Sequence, residues 1–221
     1  MIRTLKEGRL MIEKYKGLTI DEIIHLLPEE QIRHSLNVEM LVETLIQWLP
    51  ISPEYANSEE YKYFGRAAYY HDIGKVSIPF ELITKPKTLT KEEYLMMRNH
   101  TVFAQELLQL AYKGEIIGIQ KFMLPLIHDA SVYHHEWWNG KGYPFGLSKE
   151  DIPFIARVTS ICDSYDAMVS NRTYRKAYSH NYACGEIDKG TGTQFEPMLV
   201  KIFLDHESEI SHLFDKSHAA G

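Results

Sequence analysis

IRHSLNVEMLVETLIQWL, residues 32–49, carries Ile32, Leu36, Met40, Leu41, Leu45, Trp48 and Leu49 at helical spacing. Ile51-Ser52-Pro53 closes the segment. His34 lies on the stripe His34, Val38, Leu41, Leu45, which is apolar apart from the histidine. Glu30 stands one turn before His34, so the two share a face. Both also have a plain structural reading, as a satisfied core histidine and as an acid favoured by the helix N-terminus.

Outward from this helix the pattern stays helical. Residues 1–28 read as a short helical lead-in ending near Pro28, and a second helix is predicted from about Ser58 to Asp72, stopping near Gly74. Thr90-Lys91-Glu92-Glu93 is a capping-box pattern that starts a helix through about Tyr112, where Gly114 breaks it. Further helices are predicted over about 120–133, 153–170 and 197–206. Asn139-Gly140-Lys141-Gly142-Tyr143-Pro144 is almost entirely turn chemistry. Strand signals are weak. The expected fold is all-α, a bundle of about seven helices with a long functional loop near 136–150, a main domain over 28–205 and a tail over 206–221.

Composition narrows the function. The 221 residues are enough for one domain with a real core. Net charge is -6. Such a chain is a poor general binder of large nucleic acids or anionic membranes, so an anionic substrate needs local positive charge or metal ions. Cys162 and Cys184 form no C-x-x-C, which suits a reducing compartment. The N-terminus has no apolar signal-like region, and no stretch approaches the roughly 18 apolar residues of a membrane span. A cytoplasmic location is expected.

The 11 histidines are the unusual feature. His71-Asp72 offers a nitrogen and a carboxylate, both ligands for divalent first-row metals, and a carboxylate can bridge two ions. Taken alone, a His-Asp dipeptide is as readily a surface pair, as His128-Asp129 illustrates. His100 sits on the stripe Met96, His100, Phe103, Leu107. His134-His135-Glu136 enters the glycine-rich loop, and Asp163 and Asp166 share a helix face that could simply be solvated. Cys162 reads as a small core residue. Glu30, His34, His71, Asp72, His100, His134, His135 and Asp163 exceed the ligand count of one tetrahedral zinc site and suit two or three bridged metals. Paired metals are a known device for phosphate-ester hydrolysis. Lys75 follows His71 by one turn, and Arg172 and Arg175 follow the Asp163 helix. They could hold phosphate, or merely partner a helix C-terminus.

HDIGK at 71–75, HHEWWNGKGYP at 134–144 and DSYDAMVSNRTYR at 163–175, with RHS at 33–35, KPKTLTKEEYLMMRNH at 85–100 and GTQFEP at 192–197, resemble the HD-GYP family of HD-superfamily phosphohydrolases. The resemblance covers roughly residues 28–205. It implies a helical bundle with a two- or three-metal centre that degrades cyclic di-GMP, or in some members cyclic GMP-AMP, to linear pGpG or GMP. Iron or manganese is the implied metal, with zinc, nickel or magnesium as further candidates. The implied ligands are His34, His71, Asp72, His100, His134, His135 and Asp163, with Asp72 bridging and Glu30 as the extra carboxylate of a three-metal subgroup. Lys75 would sit near the scissile phosphate, and Tyr143, Arg172 and Arg175 would contact the dinucleotide. A diguanylate-cyclase (GGDEF) protein is a further implied partner at the Tyr143 loop. The family loop usually reads HHERWDGSGYP, so Trp137, Asn139 and Lys141 depart from it, as does Glu196 where the family has Asp. No sensor segment is read, which suggests a stand-alone catalytic domain. Two rivals stand beside this reading: a non-catalytic binding module, and an HD phosphohydrolase acting on mononucleotides or (p)ppGpp.

Overall fold

A computed structural model describes residues 12–49, 59–171 and 175–219. Arg172 and the expected Ile51-Ser52-Pro53 stop lie outside the described residues. The described residues form ten α-helices: α1 Ile20–Ile24, α2 Glu29–Trp48, α3 Phe64–Tyr69, α4 Phe80–Ile83, α5 Lys91–Tyr112, α6 Met123–Tyr133, α7 Phe154–Val169, α8 His180–Lys189, α9 Pro197–Asp205 and α10 Glu207–Ala219. Short 3-10 turns cover Glu59–Tyr63, Ile73–Ser77 and Lys149–Asp151. No strand occurs among the described residues, only isolated bridges such as Asn139 with Ser148. The all-α expectation holds.

Local chemistry explains the helix starts. The Thr90 hydroxyl accepts the Glu93 N–H at 3.2 Å while the Glu93 carboxylate accepts the Thr90 N–H at 2.8 Å, closing the expected capping box. The same reciprocal pair, Thr19 with Glu22, starts α1. Pro28 and Pro153 precede α2 and α7, where their fixed φ and missing N–H do no harm.

α2 packs on α3 and α7, and α6 packs on α5 and α7. The α2 face that enters the core is Gln31, His34, Ser35, Val38, Leu41, Val42 and Leu45. This is the histidine stripe. Leu36, expected among the helix's apolar positions, is 50% exposed.

The helix expected over 58–72 differs in a way that matters. It is α-helical only from Phe64 to Tyr69, then leaves the helix before a 3-10 turn at Ile73–Ser77 that packs against α5. In a continuous helix, neighbours i and i+1 point in different directions. Breaking the helix at Tyr70 frees His71 and Asp72 to aim at one point. Gly74 allows the turn its depth, because a Cβ there would overlap the His100 carbonyl oxygen of α5. Three helices were not anticipated, α4, α8 and α10. Only Ala183, Cys184 and Ile187 of α8 are buried, too few for a clear apolar stripe, and α10 covers residues 207–219 with Ile210 in the core.

Candidate metal centre

Five helices or helix ends converge on one buried cluster. α2 supplies His34, the broken end of α3 supplies His71 and Asp72, α5 supplies His100, the end of α6 supplies His134 and His135, and α7 supplies Asp163. His34 Nε2 lies 3.0 Å from Asp163 Oδ1 and 3.8 Å from Asp72 Oδ2. His71 Nε2 lies 3.3 Å from Asp72 Oδ2 and 3.8 Å from Asp163 Oδ1. On the other side, His100 Nε2 and His134 Nε2 lie 3.4 and 3.9 Å from Asp72 Oδ1. His135 joins His100 and His134 in a three-donor group. Asp72 therefore turns one oxygen to His34 and His71 and the other to His100 of α5 and His134 of α6.

The imidazoles are held by their outer nitrogens. His71, His100 and His134 each present Nδ1 to a backbone carbonyl one turn back, at 2.8, 2.7 and 2.9 Å from the oxygens of Ala68, Met97 and Ala130. Donation from Nδ1–H leaves the Nε2 lone pair pointing inward. Those three Nε2 atoms and Asp72 Oδ1 are buried without a hydrogen-bond partner. An unsatisfied buried polar atom costs about 1–3 kcal/mol, and four at one point fit a cation that accepts their lone pairs. His34 Nδ1 is 2.5 Å from Asp166 Oδ2, and Asp166 also accepts from Asn37 and Ser170. Asp166 is fully buried, not solvated, and fixes the His34 tautomer as outer carboxylates do for metal-binding histidines. Sequence reasoning paired it with Asp163 but missed this role; its i,i+3 spacing from Asp163 was the available signal.

Electrostatics suits the same reading. Burial holds the His100 pKa at about 4, against the pull of Asp72. Burial, then repulsion from His100, holds His135 at about 3, and burial with His135 keeps His134 well below the imidazole range. These rings are neutral at pH 7, the form that donates to a metal. Burial acts to raise Asp72, but Lys75, His71 and His100 more than offset it and hold the carboxyl well below its usual range. Asp163 is likewise held low by His34 and His71 against the effect of burial.

A pH dependence follows. Unfolded histidine titrates near 6.5, whereas folded His100 titrates at about 4. Between those values the unfolded chain binds more protons, so stability rises with pH there. Metal-stripped protein is expected to lose stability as pH falls from 6.5 towards 4, by on the order of 3 kcal/mol from His100 alone. Urea unfolding across that range measures it; a flat profile would contradict neutral burial.

The remaining expected residues fall at the margin. Lys75 donates to Asp72 Oδ2 and, at 2.9 Å, to Gln31 Oε1. Glu30 is in none of the three-donor groups among the described residues. It lines an adjoining cavity of about 570 Å³ with Gln31, Lys75, Lys85, Lys91 and Tyr94. Tyr143 stacks on His135, ring centroids 4.7 Å apart, with the Arg98 guanidinium 4.2 Å from its ring centroid. Arg98, two residues before His100, was not anticipated. Arg175, expected at the dinucleotide, donates here to the carbonyls of Ala167 and Met168 at the C-terminal end of α7 and lies over the Tyr178 ring. The helix end offers unpaired acceptors and a negative dipole pole, and these hold the arginine there, past Asp163. His128 pairs with Asp129 at 3.0 Å, away from the cluster, as a local pair.

The loop after His135 is held from inside. Glu136 Oε1 accepts the N–H groups of Phe145 and Gly146 at 2.6 and 3.1 Å. Gly142 permits the closure, since a Cβ there would overlap the backbone of Glu136 and Trp137. The GTQFEP stretch supports it from behind: Trp138 and Asn139 N–H groups donate to Gln194 and Thr193 carbonyls at 3.0 and 2.9 Å. The departures Asn139 and Glu196 have structural occupations. Asn139 Oδ1 accepts the Lys141 N–H at 3.0 Å in an exposed turn, and Glu196 pairs with Arg157 at 2.6 Å.

The HD domain family profile matches residues 19–199. A cyclic di-GMP phosphodiesterase of Vibrio cholerae is 35% identical over 179 residues, covering 80% of this chain and 36% of that protein. A cyclic di-GMP phosphodiesterase of Thermotoga maritima is 30% identical over 240 residues, covering 100% of this chain and 62% of that protein. The chain thus spans well under two thirds of the first of these relatives and somewhat under two thirds of the second. A solved HDG"Y"P protein of Bdellovibrio bacteriovorus shares the fold, with TM-score 0.58 and 17% identity over 84% of this chain and 52% of that one. No helix among the described residues is long and apolar enough to cross a membrane. With the histidine and aspartate cluster lying wholly inside the matched span, and with HDIGK and the GYP loop both contributing to its walls, the chain belongs to the HD domain family and is of its HD-GYP type.

Proposed function

We propose that this chain hydrolyses a 3′–5′ phosphodiester bond of a cyclic dinucleotide, cyclic di-GMP first, to linear pGpG and onward to GMP. The observation that carries the reading is Asp72, whose two oxygens face separate halves of a buried donor set with orphaned imidazole nitrogens. Two divalent ions fit that geometry. His34, His71, Asp72 and Asp163 would hold one, and Asp72, His100, His134 and His135 the other. Glu30, set in the cavity wall, gives weaker support to a third. Nitrogen and oxygen donors without sulfur suit iron or manganese. Metal bound there supplies Lewis acidity toward a phosphate oxygen and lowers the pKa of a water.

The protein's own groups do the rest. Lys75 brings a fixed positive charge beside Asp72, where charge would build on the phosphoryl oxygens. The Tyr143 ring, stacked on His135 and covered by the Arg98 guanidinium, would meet the dinucleotide at its edge. Arg98 and the lysines of the adjoining cavity supply local positive charge on an acidic chain. In the overall step a water oxygen bonds to phosphorus, the P–O3′ bond breaks, and the 3′ oxygen takes a proton. The complete donor set gives no support to a non-catalytic module.

Protein loaded anaerobically with iron or manganese and incubated with cyclic di-GMP is expected to release pGpG or GMP. No product from cyclic di-GMP or cyclic GMP-AMP with either metal would overturn the reading.

A further inference from the structure

A second donor set lies outside this centre. His180 and Cys184 are one turn apart on α8, so they share a face. Glu207 is the first residue of α10. One ligand atom from each of the three lies within 4.8 Å of the others. Cys184 Sγ lies 3.5 Å from His180 Nε2 and 3.7 Å from His180 Nδ1, beside the ring. His180 Nδ1 is 2.8 Å from the Tyr165 hydroxyl of α7. That is the outer hydrogen bond that orients a metal-binding imidazole, and it leaves Nε2 for a ligand.

We propose that His180, Cys184 and Glu207 form a peripheral site for a borderline-soft divalent cation, zinc or cobalt, which ties α10 to α8. A thiolate and a carboxylate neutralise the ion's two charges. Glu207 is exposed, so water reaches the fourth position. Binding forms the metal–sulfur bond and releases the thiol proton to solvent. Without metal, burial and the neighbouring Glu207 push the Cys184 thiol up to about 12, so affinity falls as pH is lowered. The donor chemistry separates the two sites: sulfur favours zinc-like ions here, while the main centre has only nitrogen and oxygen donors. The inference does not depend on the proposed hydrolysis.

Cobalt(II) titration of the full chain tests it without an activity measurement, because a thiolate-to-cobalt charge-transfer band in the near ultraviolet can come only from a cysteine. The band is expected in the unaltered protein and in Cys162→Ser, and is expected to vanish in Cys184→Ser. Glu207→Gln, at an exposed position, should raise the cobalt concentration for half-saturation about tenfold or more. This variant and His180→Ala read the same band should Cys184→Ser fail to fold. Absence of the band from the unaltered chain, its survival in Cys184→Ser, or its loss in Cys162→Ser would overturn the proposal.

Discussion

Asp72→Ala is expected to strip the buried centre of bound metal and to lower phosphodiester hydrolysis more than a hundredfold, beyond the roughly 10–100-fold seen for losing an outer-shell partner. The reason is geometric. Asp72 Oδ2 faces His34 and His71, and Asp72 Oδ1 faces His100 and His134. No other carboxylate among the described residues is shared in this way. Alanine leaves two groups of neutral imidazoles with no charge between them, and Lys75 keeps only Gln31 as a partner. Asp72→Asn keeps the shape but removes the charge, and should lie close to alanine in metal content. Elemental analysis and turnover of cyclic di-GMP are the measurements, with circular dichroism to show that the helices persist. Near-normal metal content in Asp72→Ala would contradict the bridging role.

The second large effect is on stability. Gly74→Ala is expected to cost about 3 kcal/mol, the upper end for overpacking a rigid site. Its Cβ would strike the backbone oxygen of His100 and the Ala104 nitrogen, neither of which can swing aside as a side-chain tip would. For a chain of this length that corresponds to a fall in Tm of roughly 6–12 °C. The 3-10 turn at Ile73–Ser77 would be pushed off α5, moving Asp72 away from His100. Gly185→Ala is the control. It lies inside α8 with nothing within 4 Å of its Cβ, so alanine there should be neutral or stabilising by up to about 1 kcal/mol. Differential scanning calorimetry of both variants decides the matter; equal melting temperatures would refute the close-approach argument.

Legibility varied by residue for physical reasons. His34 and His100 could be read because each interrupts an otherwise apolar helix stripe, and the structure buries both. Leu36 misled because apolar type alone does not say which side of a helix faces the core, and it is half exposed. Asp166 was legible as a position and not as a partner, since its hydrogen bond to His34 spans 132 residues of chain. Arg175 carried two readings in the sequence, phosphate or helix end, and its bonds to the α7 carbonyls join segments that only the folded chain brings together. α8 stayed hidden because its buried face is narrow.

His71-Asp72 shows where the boundary lies. The sequence by itself determined that the chain is helical, which residue types are available to hold metal, and which motifs frame them, because periodicity and turn chemistry are local properties. It could not determine that two adjacent side chains meet at one point. That required the helix to end at Tyr70 and Gly74 to press the next turn against α5. Nor could it settle that one carboxylate is shared between histidines from four different segments. Such sharing depends on packing contacts distant in sequence, and only the tertiary structure supplies them.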